Sequence, residues 1–326
     1  MSDIIKRTEQ WFSRRNSAWL DGDLQPLSQQ SGIQPAVGEM ERRRELLKKR
    51  GGVDRKIISD VDIVKVNREP ATARLDVFAR ESIRFLYELD GVMHHEQRMI
   101  LHRMGWDAST GSSQPALVEH HHDWETEPDN TLHMIHTYHG NRGDAQGEEP
   151  TRHKASFEPF FDHRGGYNRT LAFRYAQRWW NDHNPDYMNM GVDCTNYVSQ
   201  VLHAGGFPMI KTSSRDSGWW YQRSPANWSY SWSIAHALAM LLTSRKNPFR
   251  VTVVDKPQDL MIGDVISYDW NNSGTFTHST VVTGHDANGF PLVNAHTVNS
   301  HQRYFSYEDS YAFTPNTHYL FVHFLD

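Results

Sequence analysis

The stretch GVDCTNYVSQVLHAGG, residues 191–206, contains Cys194, the only cysteine among 326 residues. Asp193 is a favoured N-cap residue, and apolar residues then recur with helical spacing at Tyr197, Val198, Val201 and Leu202. The glycines that follow commonly end helices. The pattern therefore predicts a short helix that begins at Cys194, where free backbone amides and the helix dipole favour a nucleophilic thiolate. The alternative is a buried structural cysteine, which is the commoner fate of a lone thiol.

Length and composition narrow the class of protein. A chain of this length suggests two domains, and a net charge of −5 gives no reason to expect a nucleic-acid partner. One cysteine cannot form an internal disulfide, which is compatible with a reducing compartment. Charges interrupt residues 1–23 every few positions, and we find neither a secretory signal nor a membrane-spanning run. We therefore expect a cytoplasmic protein without a membrane partner, while leaderless export stays open.

The chain changes character twice along its length. Helical patterns cover residues 1 to about 50, and strand patterns separated by turns follow from residue 53 to residue 139. Residues 140–165 have little periodicity and several glycines, prolines and charges. We predict an α+β N-terminal domain over residues 1–145, a linker over 146–165 and a second domain over 166–326. The N-terminal domain could have an NTF2-like or cystatin-like shape.

Three strands are predicted in the C-terminal third, within GDVISYDW, THSTVVTG and PLVNAHTV. The last two are joined by HDANG, a hairpin turn with Asn-Gly at its end. If that turn is centred on Ala287, His278 and His296 are direct cross-strand partners, with Cβ atoms roughly 5 Å apart. Such a pair could serve as a base and its orienting partner. A one-residue slip would put them on opposite faces, and two surface histidines are the alternative.

These motifs resemble the papain-like NlpC/P60 superfamily of cysteine peptidases and, more closely, the putative amidase domain family (amidase_6 type) found in many Gram-positive bacteria. In such domains an Asp-Cys dipeptide opens a helix, a strand begins with the base histidine, and the next strand carries a third polar residue. The matching segments are Tyr167-Asn168-Arg169, Tyr175-Ala176, Asn184–Tyr187, Asp193–Met209, Gly263–Trp270, His278–Gly284 and His296-Thr297. One departure is Tyr197, where phenylalanine is usual.

The resemblance covers roughly residues 165–326, about half of the chain. It implies a papain-like α+β fold in which a nucleophile helix packs on an antiparallel sheet. It further implies Cys194 as the nucleophile, His278 as the base and His296 as the residue that orients the base. The family's own activity is assigned only broadly, so the substrate does not follow from the resemblance.

The implied chemistry is acyl transfer from an amide to Cys194 and then to water. The oxyanion would be bound by the Cys194 backbone N–H and a side-chain donor. Candidate donors or assisting residues are Asn196, Gln200, Tyr187 and Asn294, each of which could instead serve only in packing or hydrogen bonding.

An aromatic run, GWWYQRSPANWSYSW, follows the predicted nucleophile helix. Trp219, Trp220 and Trp228 could form the wall of a substrate groove. Core packing explains the same residues equally well.

Two groups of histidines invite a metal interpretation: His120 to His122, and His133, His136 and His139. Successive residues of a strand alternate between faces, so these side chains would not converge on one ion. We therefore predict no metal site and no cofactor.

The favoured function is a cysteine peptidase or amidase that hydrolyses a peptide-like amide. A transferase or transpeptidase that passes the same thioester to an amine is an alternative. An inactive peptide-binding module is another, although the complete set of one cysteine and two histidines argues against it.

Overall fold

The protein is an α+β structure with one large antiparallel sheet and few helices. The computed structural model describes residues 2–23, 27, 34–68, 73–107, 116–122, 166–245 and 247–325. The α+β class and the antiparallel sheet predicted from the sequence are confirmed.

Six α-helices lie in these ranges, two of them before residue 50 as predicted. Their bounds are α1 Ser2–Asp21, α2 Gln34–Lys49, α3 Arg169–Trp179, α4 Cys194–Ala204, α5 Tyr230–Ser233 and α6 Ala235–Thr243. Helix α3 is capped by Asn168, whose side-chain oxygen accepts from the Leu171 amide at 3.0 Å.

Twelve strands occur in the same ranges, and the four predicted before residue 123 are confirmed. Their bounds are β1 Gly52–Arg68, β2 Arg74–Leu89, β3 Val92–Asp107, β4 Ala116–His122, β5 Tyr221–Gln222, β6 Asn227–Trp228, β7 Val251–Val254, β8 Val265–Asp269, β9 His278–His285, β10 Pro291–Ala295, β11 Asn299–Tyr304 and β12 His318–Phe324.

Strands from both halves of the chain join in one sheet. The order is β1-β2-β3-β11-β10-β9-β8-β12-β7, and β4 also pairs with β3. One edge of β3 pairs with β2, while β4 and β11 share the other edge. The joint between the halves is short, since Met99, Arg98 and Gln97 of β3 pair with Asn299, Ser300 and His301 of β11.

A tight turn sets the register of the longest hairpin. Leu89 pairs with Val92, so Asp90 and Gly91 form a two-residue loop between β2 and β3. Both have positive φ, 49° and 76°, which is the geometry of the turns that match the strand twist. Gly91 adopts it without steric cost.

The C-terminal part of the sheet is covered on both faces. Val281 packs with Val198 and Val201 of α4 on one face. Val282, the next residue of β9, packs with Ile266 and Tyr268 on the other face, where Leu46 of α2 also lies. Because β9 is buried on both faces, its side chains alternate between two separate cores.

The N-terminal part of the sheet carries α1 and α2. On α1, Ile4, Trp11 and Phe12 form an apolar stripe that is buried against residues of β2 and β3. Val298, which precedes β11, belongs to the same core. The two halves therefore share apolar packing as well as backbone pairing.

The predicted linker over residues 146–165 lies outside the described residues, so the domain boundary stays a prediction. The same holds for an NTF2-like or cystatin-like identity of the N-terminal half. Among the described helices, none combines the length and the apolar character needed to span a membrane.

A buried ion-pair network connects the halves. Arg98 of β3 is 2% exposed and pairs with Glu39 of α2 at 2.8 Å, with Glu96 and with Asp309, which follows β11. Arg303 of β11 also binds Asp309, at 3.0 Å. Buried charges are tolerated when each is paired, and removing one partner is costly.

Arg98→Met should therefore lower the free energy of unfolding by about 3–5 kcal/mol, because it leaves buried carboxylates without their partner. Chemical denaturation of the full chain measures this loss. Arg80→Met is the matched control on β2, since its pair with Asp62 is 36% and 63% exposed and should contribute about 0–1 kcal/mol. Equal losses in the two variants would contradict a structural role for the network.

Candidate active site

Cys194 is the first residue of α4, as predicted, and is 3% exposed. Its Sγ lies 3.7 Å from the Thr195 hydroxyl. The backbone of Ser279 and the hydroxyl of Thr297 also face the sulfur. Ser279 follows His278 in β9, and Thr297 follows His296 after β10, so the sulfur lies next to both histidine-bearing segments.

The thiol is not the stabilised thiolate that its position suggests. Burial raises the pKa of Cys194 above its ordinary value, and the nearby Asp193 charge raises it further. The Thr195 and Thr297 hydroxyls and the Ser279 backbone act in the opposite direction but do not outweigh burial. The expectation of a thiolate at the helix start is therefore wrong for the resting protein, in which the sulfur holds its proton at neutral pH.

Asp193 occupies the N-cap position, but its side chain makes no capping bond to α4. The capping role expected from the sequence is therefore wrong. Its Oδ1 accepts from the Asn196 side chain at 2.8 Å and from the Met190 amide at 3.2 Å. Its Oδ2 lies 2.7 Å from His296 Nδ1 and 3.6 Å from His183 Nδ1.

The Asp193 carboxylate is ionised despite its burial. Burial alone would raise its pKa, but the nearby imidazoles of His183 and His296 bring the pKa well below the usual range. A buried carboxylate in this state needs its histidine partners.

His296 lies on the same face of the sheet as α4. Its ring stacks on Tyr197 with centroids 4.1 Å apart. Its Nδ1 faces Asp193, and its Nε2 lies 2.7 Å from the Trp179 carbonyl oxygen at the end of α3. Both ring nitrogens therefore face oxygen acceptors.

His278 lies on the opposite face of the sheet from α4. It is fully buried, and its ring contacts Tyr268, Trp270 and Tyr307 with centroids 5.4–5.9 Å apart. Side chains alternate along β9, so Ser279 faces α4, where it meets the Thr195 hydroxyl at 3.3 Å.

The predicted cross-strand pairing of His278 with His296 is wrong. A register shift occurs between Leu292 and Val293, after which Asn294 pairs with Val281. Continued in this register, His296 aligns with Ser279 rather than with His278. One residue of shift is enough to put the two histidines on opposite faces.

Two of the four assisting candidates are asparagines with buried, engaged side chains. Asn196 donates to the Met188 carbonyl and to Asp193, and accepts from Trp232 Nε1 at 2.8 Å. Asn294 accepts from the Thr283 hydroxyl and from the Gln302 amide, at 2.8 and 2.9 Å. These bonds are structural, and an oxyanion role for either residue stays a prediction.

The other two candidates lie on the α3 side of α4. Gln200 accepts from the Tyr175 hydroxyl at 2.7 Å and is 5% exposed. Tyr187 is partly buried and stacks on Trp232, with ring centroids 5.8 Å apart. Burial raises the pKa of the Tyr187 phenol, which therefore stays protonated. Their roles in binding an oxyanion also stay predictions.

The three tryptophans of the aromatic run differ in exposure. Trp219 and Trp220 are buried, at 0% and 2% exposure, and Trp219 belongs to the core beneath α4. Trp228 is partly buried and packs against that core. Core packing thus accounts for Trp219 and Trp220, while Trp228 is the member that solvent reaches.

The histidine groups considered in the sequence lie far from this site or outside the described residues. His120 is buried in the N-terminal half, and its Nε2 lies 2.9 Å from His102 Nδ1. The side chains of His121 and His122 and the whole of His133, His136 and His139 are outside what the structure describes.

Sequence reasoning did not single out His183, Ser279 or Thr297. His183 lies in the polar loop between α3 and α4, and nothing in its spacing predicts its approach to Asp193. The other two each follow a histidine that the motifs identified, so their positions beside the thiol could have been inferred from those neighbours.

The fold and site define an α+β domain with a lone cysteine at the start of a helix on an antiparallel sheet. Residues 166–322 match a family model described as "Putative amidase domain". The match confirms the resemblance to the putative amidase domain family over nearly the same residues. It points, at a coarse level, to hydrolysis of an amide.

Two proteins of Bacillus subtilis (strain 168), both uncharacterized, resemble this part of the chain. The chain is 48% identical to YhbB over 160 residues, which cover 49% of this chain and 51% of YhbB. It is 30% identical to YjcM over 142 residues, which cover 41% of this chain and 32% of YjcM. The chain thus spans about half of one relative and a third of the other. No solved structure matches it.

The raised pKa of Cys194 predicts the pH profile of its alkylation. Because burial favours the thiol, labelling by iodoacetamide should be slow at pH 7 and rise at a higher pH than for a free cysteine, whose pKa is ~8.5. Intact mass reports the label without ambiguity, since the chain has one cysteine. The same chain in denaturant is the control. A folded-state profile with its midpoint below that of the denatured chain would contradict the prediction.

Proposed function

We propose that residues 166–326 form a cysteine-dependent amidase that hydrolyses a peptide-like amide through an acyl-enzyme on Cys194. The observation that carries this proposal is the position of the thiol. It lies at the start of α4 and faces Ser279 and Thr297, which directly follow His278 and His296. The match to an amidase domain over residues 166–322 supports the same reaction class.

In the proposed reaction, the Cys194 sulfur attacks the amide carbonyl while a base takes the thiol proton. The tetrahedral oxyanion would be bound by the Cys194 backbone N–H at the start of α4. Collapse of this intermediate breaks the C–N bond, and the base returns its proton to the leaving amine. Water then attacks the thioester, which releases the acid and restores the thiol.

His278 is the proposed base, on the basis of its place in the family motif and one residue before Ser279. In the structure its ring lies among Tyr268, Trp270 and Tyr307. Proton transfer therefore requires the backbone at the start of β9 to rearrange, so that the ring leaves this aromatic cluster and reaches the face of the sheet that carries Cys194. His296 is less suited to take the proton, since both its nitrogens already face Asp193 and Trp179.

The protonated resting thiol fits this mechanism. An enzyme that relies on a general base does not need a preformed thiolate, because the base removes the proton as the sulfur attacks. A papain-like arrangement of the domain belongs to the same proposal, with α4 as the nucleophile helix and β8 to β10 as the sheet that supports it. Transfer of the acyl group to an amine would use the same thioester, and product analysis separates the two outcomes.

Cys194→Ala should abolish formation of a covalent acyl-enzyme and reduce turnover by at least about 10³-fold. His278→Gln should keep the nucleophile but slow acylation by about 10²–10⁴-fold, the usual contribution of a general base. Acylation by an activated ester, followed by intact mass, measures both effects without knowledge of the natural substrate. Turnover is then measured on a peptide-amide library.

His285→Gln is the matched control, because His285 lies at the other end of β9 and binds the Leu260 carbonyl instead. It should acylate at the wild-type rate. Full turnover by the Cys194→Ala variant would overturn the cysteine mechanism. Wild-type acylation by His278→Gln, with loss in His296→Gln, would move the base to His296.

A further inference from the structure

His183, Asp193 and His296 form a cluster that the cysteine mechanism does not use. Their nearest nitrogen and oxygen atoms all lie within 4.8 Å of one another. The three residues come from the loop after α3, the residue before α4 and the end of β10. We propose that this cluster binds a divalent transition-metal ion, with Zn²⁺ as the best match to its ligands.

The contact between His296 and Asp193 gives the first argument. His296 Nε2 lies 2.7 Å from the Trp179 carbonyl, an oxygen that can only accept. If that nitrogen carries the ring proton, the Nδ1 lone pair faces Oδ2 of Asp193, also an acceptor, across 2.7 Å. Two acceptors that face each other need a positively charged atom between them, which is either a second proton or a metal ion.

The position of His183 helps to decide between a second proton and a metal ion. Its Nδ1 lies 3.6 Å from the same Asp193 oxygen that faces His296, which is too long for a hydrogen bond. Two ligands on one tetrahedral Zn²⁺ with bonds of about 2.1 Å are about 3.4 Å apart. A proton shared by Asp193 and His296 leaves His183 with only a long contact to the carboxylate, whereas an ion would be bound by all three residues.

Neighbouring groups hold the side chains of His296 and Asp193 in place, as the residues around a metal site usually do for its ligands. Metal-binding histidines usually donate their second N–H to a carbonyl or carboxylate, and the Trp179 carbonyl fits that role for His296. The other oxygen of Asp193 is held by Asn196 and by the Met190 amide. Tyr197 supports the His296 ring from α4. Insertion of an ion would require Asp193 and His296 to separate by about 0.7 Å, and the three ligand atoms, now within 4.8 Å of one another, to adjust to about 3.4 Å for every pair.

The cluster also has an access route. Asp193 and His296 are 2% and 3% exposed, but the His183 side chain is 30% exposed. Two imidazoles and one carboxylate leave at least one coordination position for water or a substrate carbonyl, as in catalytic rather than structural zinc sites. Because Asp193 precedes Cys194, an ion held here would lie beside the proposed nucleophile. The proposal does not depend on cysteine catalysis.

Zinc titration calorimetry of the full-length, tag-free chain after chelator treatment tests the site. We expect about one Zn²⁺ per chain, with that equivalent also found by elemental analysis of protein purified without chelator. His183→Ala should weaken binding by at least about 100-fold, because it removes one ligand from the exposed side of the cluster. Circular dichroism confirms that the variant folds.

His318→Ala is the control, since His318 is an exposed histidine of β12 outside the cluster. It should bind zinc like the wild type. Failure of the folded wild type to bind zinc saturably, or equal affinity in the His183→Ala variant, would overturn the proposal.

Cobalt substitution tests the ligand set independently of activity. Co²⁺ in a site of two histidines and one aspartate should give visible bands without sulfur-to-cobalt charge transfer. A charge-transfer band that disappears in Cys194→Ala would show that the ion is bound by the thiolate instead, and would overturn the proposed ligands.

Discussion

The buried carboxylate of Asp193 is the interaction on which the geometry of the candidate site depends. An ionised group removed from water is stable only when its oxygens are fully paired. The partners of Asp193 come from the loop before α4, from α4 itself and from the end of β10. One charge thus fixes three segments relative to one another, and Cys194, the next residue, is positioned as a consequence.

The N-terminal half contributes to this arrangement through the sheet. Strand β11 is held between β10 on one side and β3 on the other. Strand β11 is therefore not an edge strand, and its two neighbours restrict sliding along the sheet. The Arg98 network reinforces the joint, because Arg98 of β3 and Arg303 of β11 bind the same Asp309 carboxylate. Removal of the N-terminal half would expose both the β11 edge and these charges.

Local patterns in the sequence predicted local structure well. The helical patterns before residue 50, the strand patterns before residue 123 and the glycines after α4 depend on neighbours a few residues away, and each of these predictions is confirmed. The long motif from Asp193 to Met209 also identified the amidase-like domain, because its residues are adjacent in the chain. The pairing of β3 with β11 had no such signal, since it joins residues about two hundred positions apart in sequence.

The wrong predictions at the candidate site all concern contacts that the local sequence pattern does not show. The register of β9 and β10 was predicted from a turn centred on Ala287, but Pro291 pairs with His285 and a further shift follows at Leu292. As a result His296 lies on the α4 face and not opposite His278. Asp193 was predicted to cap α4 from its neighbours in the chain. Its contacts with His183 and His296 are not visible in that local pattern. The contacts of the Cys194 sulfur with Ser279 and Thr297 join segments that are far apart in the sequence, so the local pattern at the start of α4 does not show them.

The Asp-Cys pair then has a physical explanation that differs from simple capping. Since the Asp193 side chain turns toward the histidines, it does not satisfy the first amides of α4. Those N–H groups have no partner within the helix, and they lie beside the sulfur at the positive end of the dipole. A side-chain cap would block this position. Because His183 and His296 hold Asp193 away from these N–H groups, the groups are left uncapped. In the proposed reaction they would bind the anionic oxygen that develops when a carbonyl is attacked at Cys194.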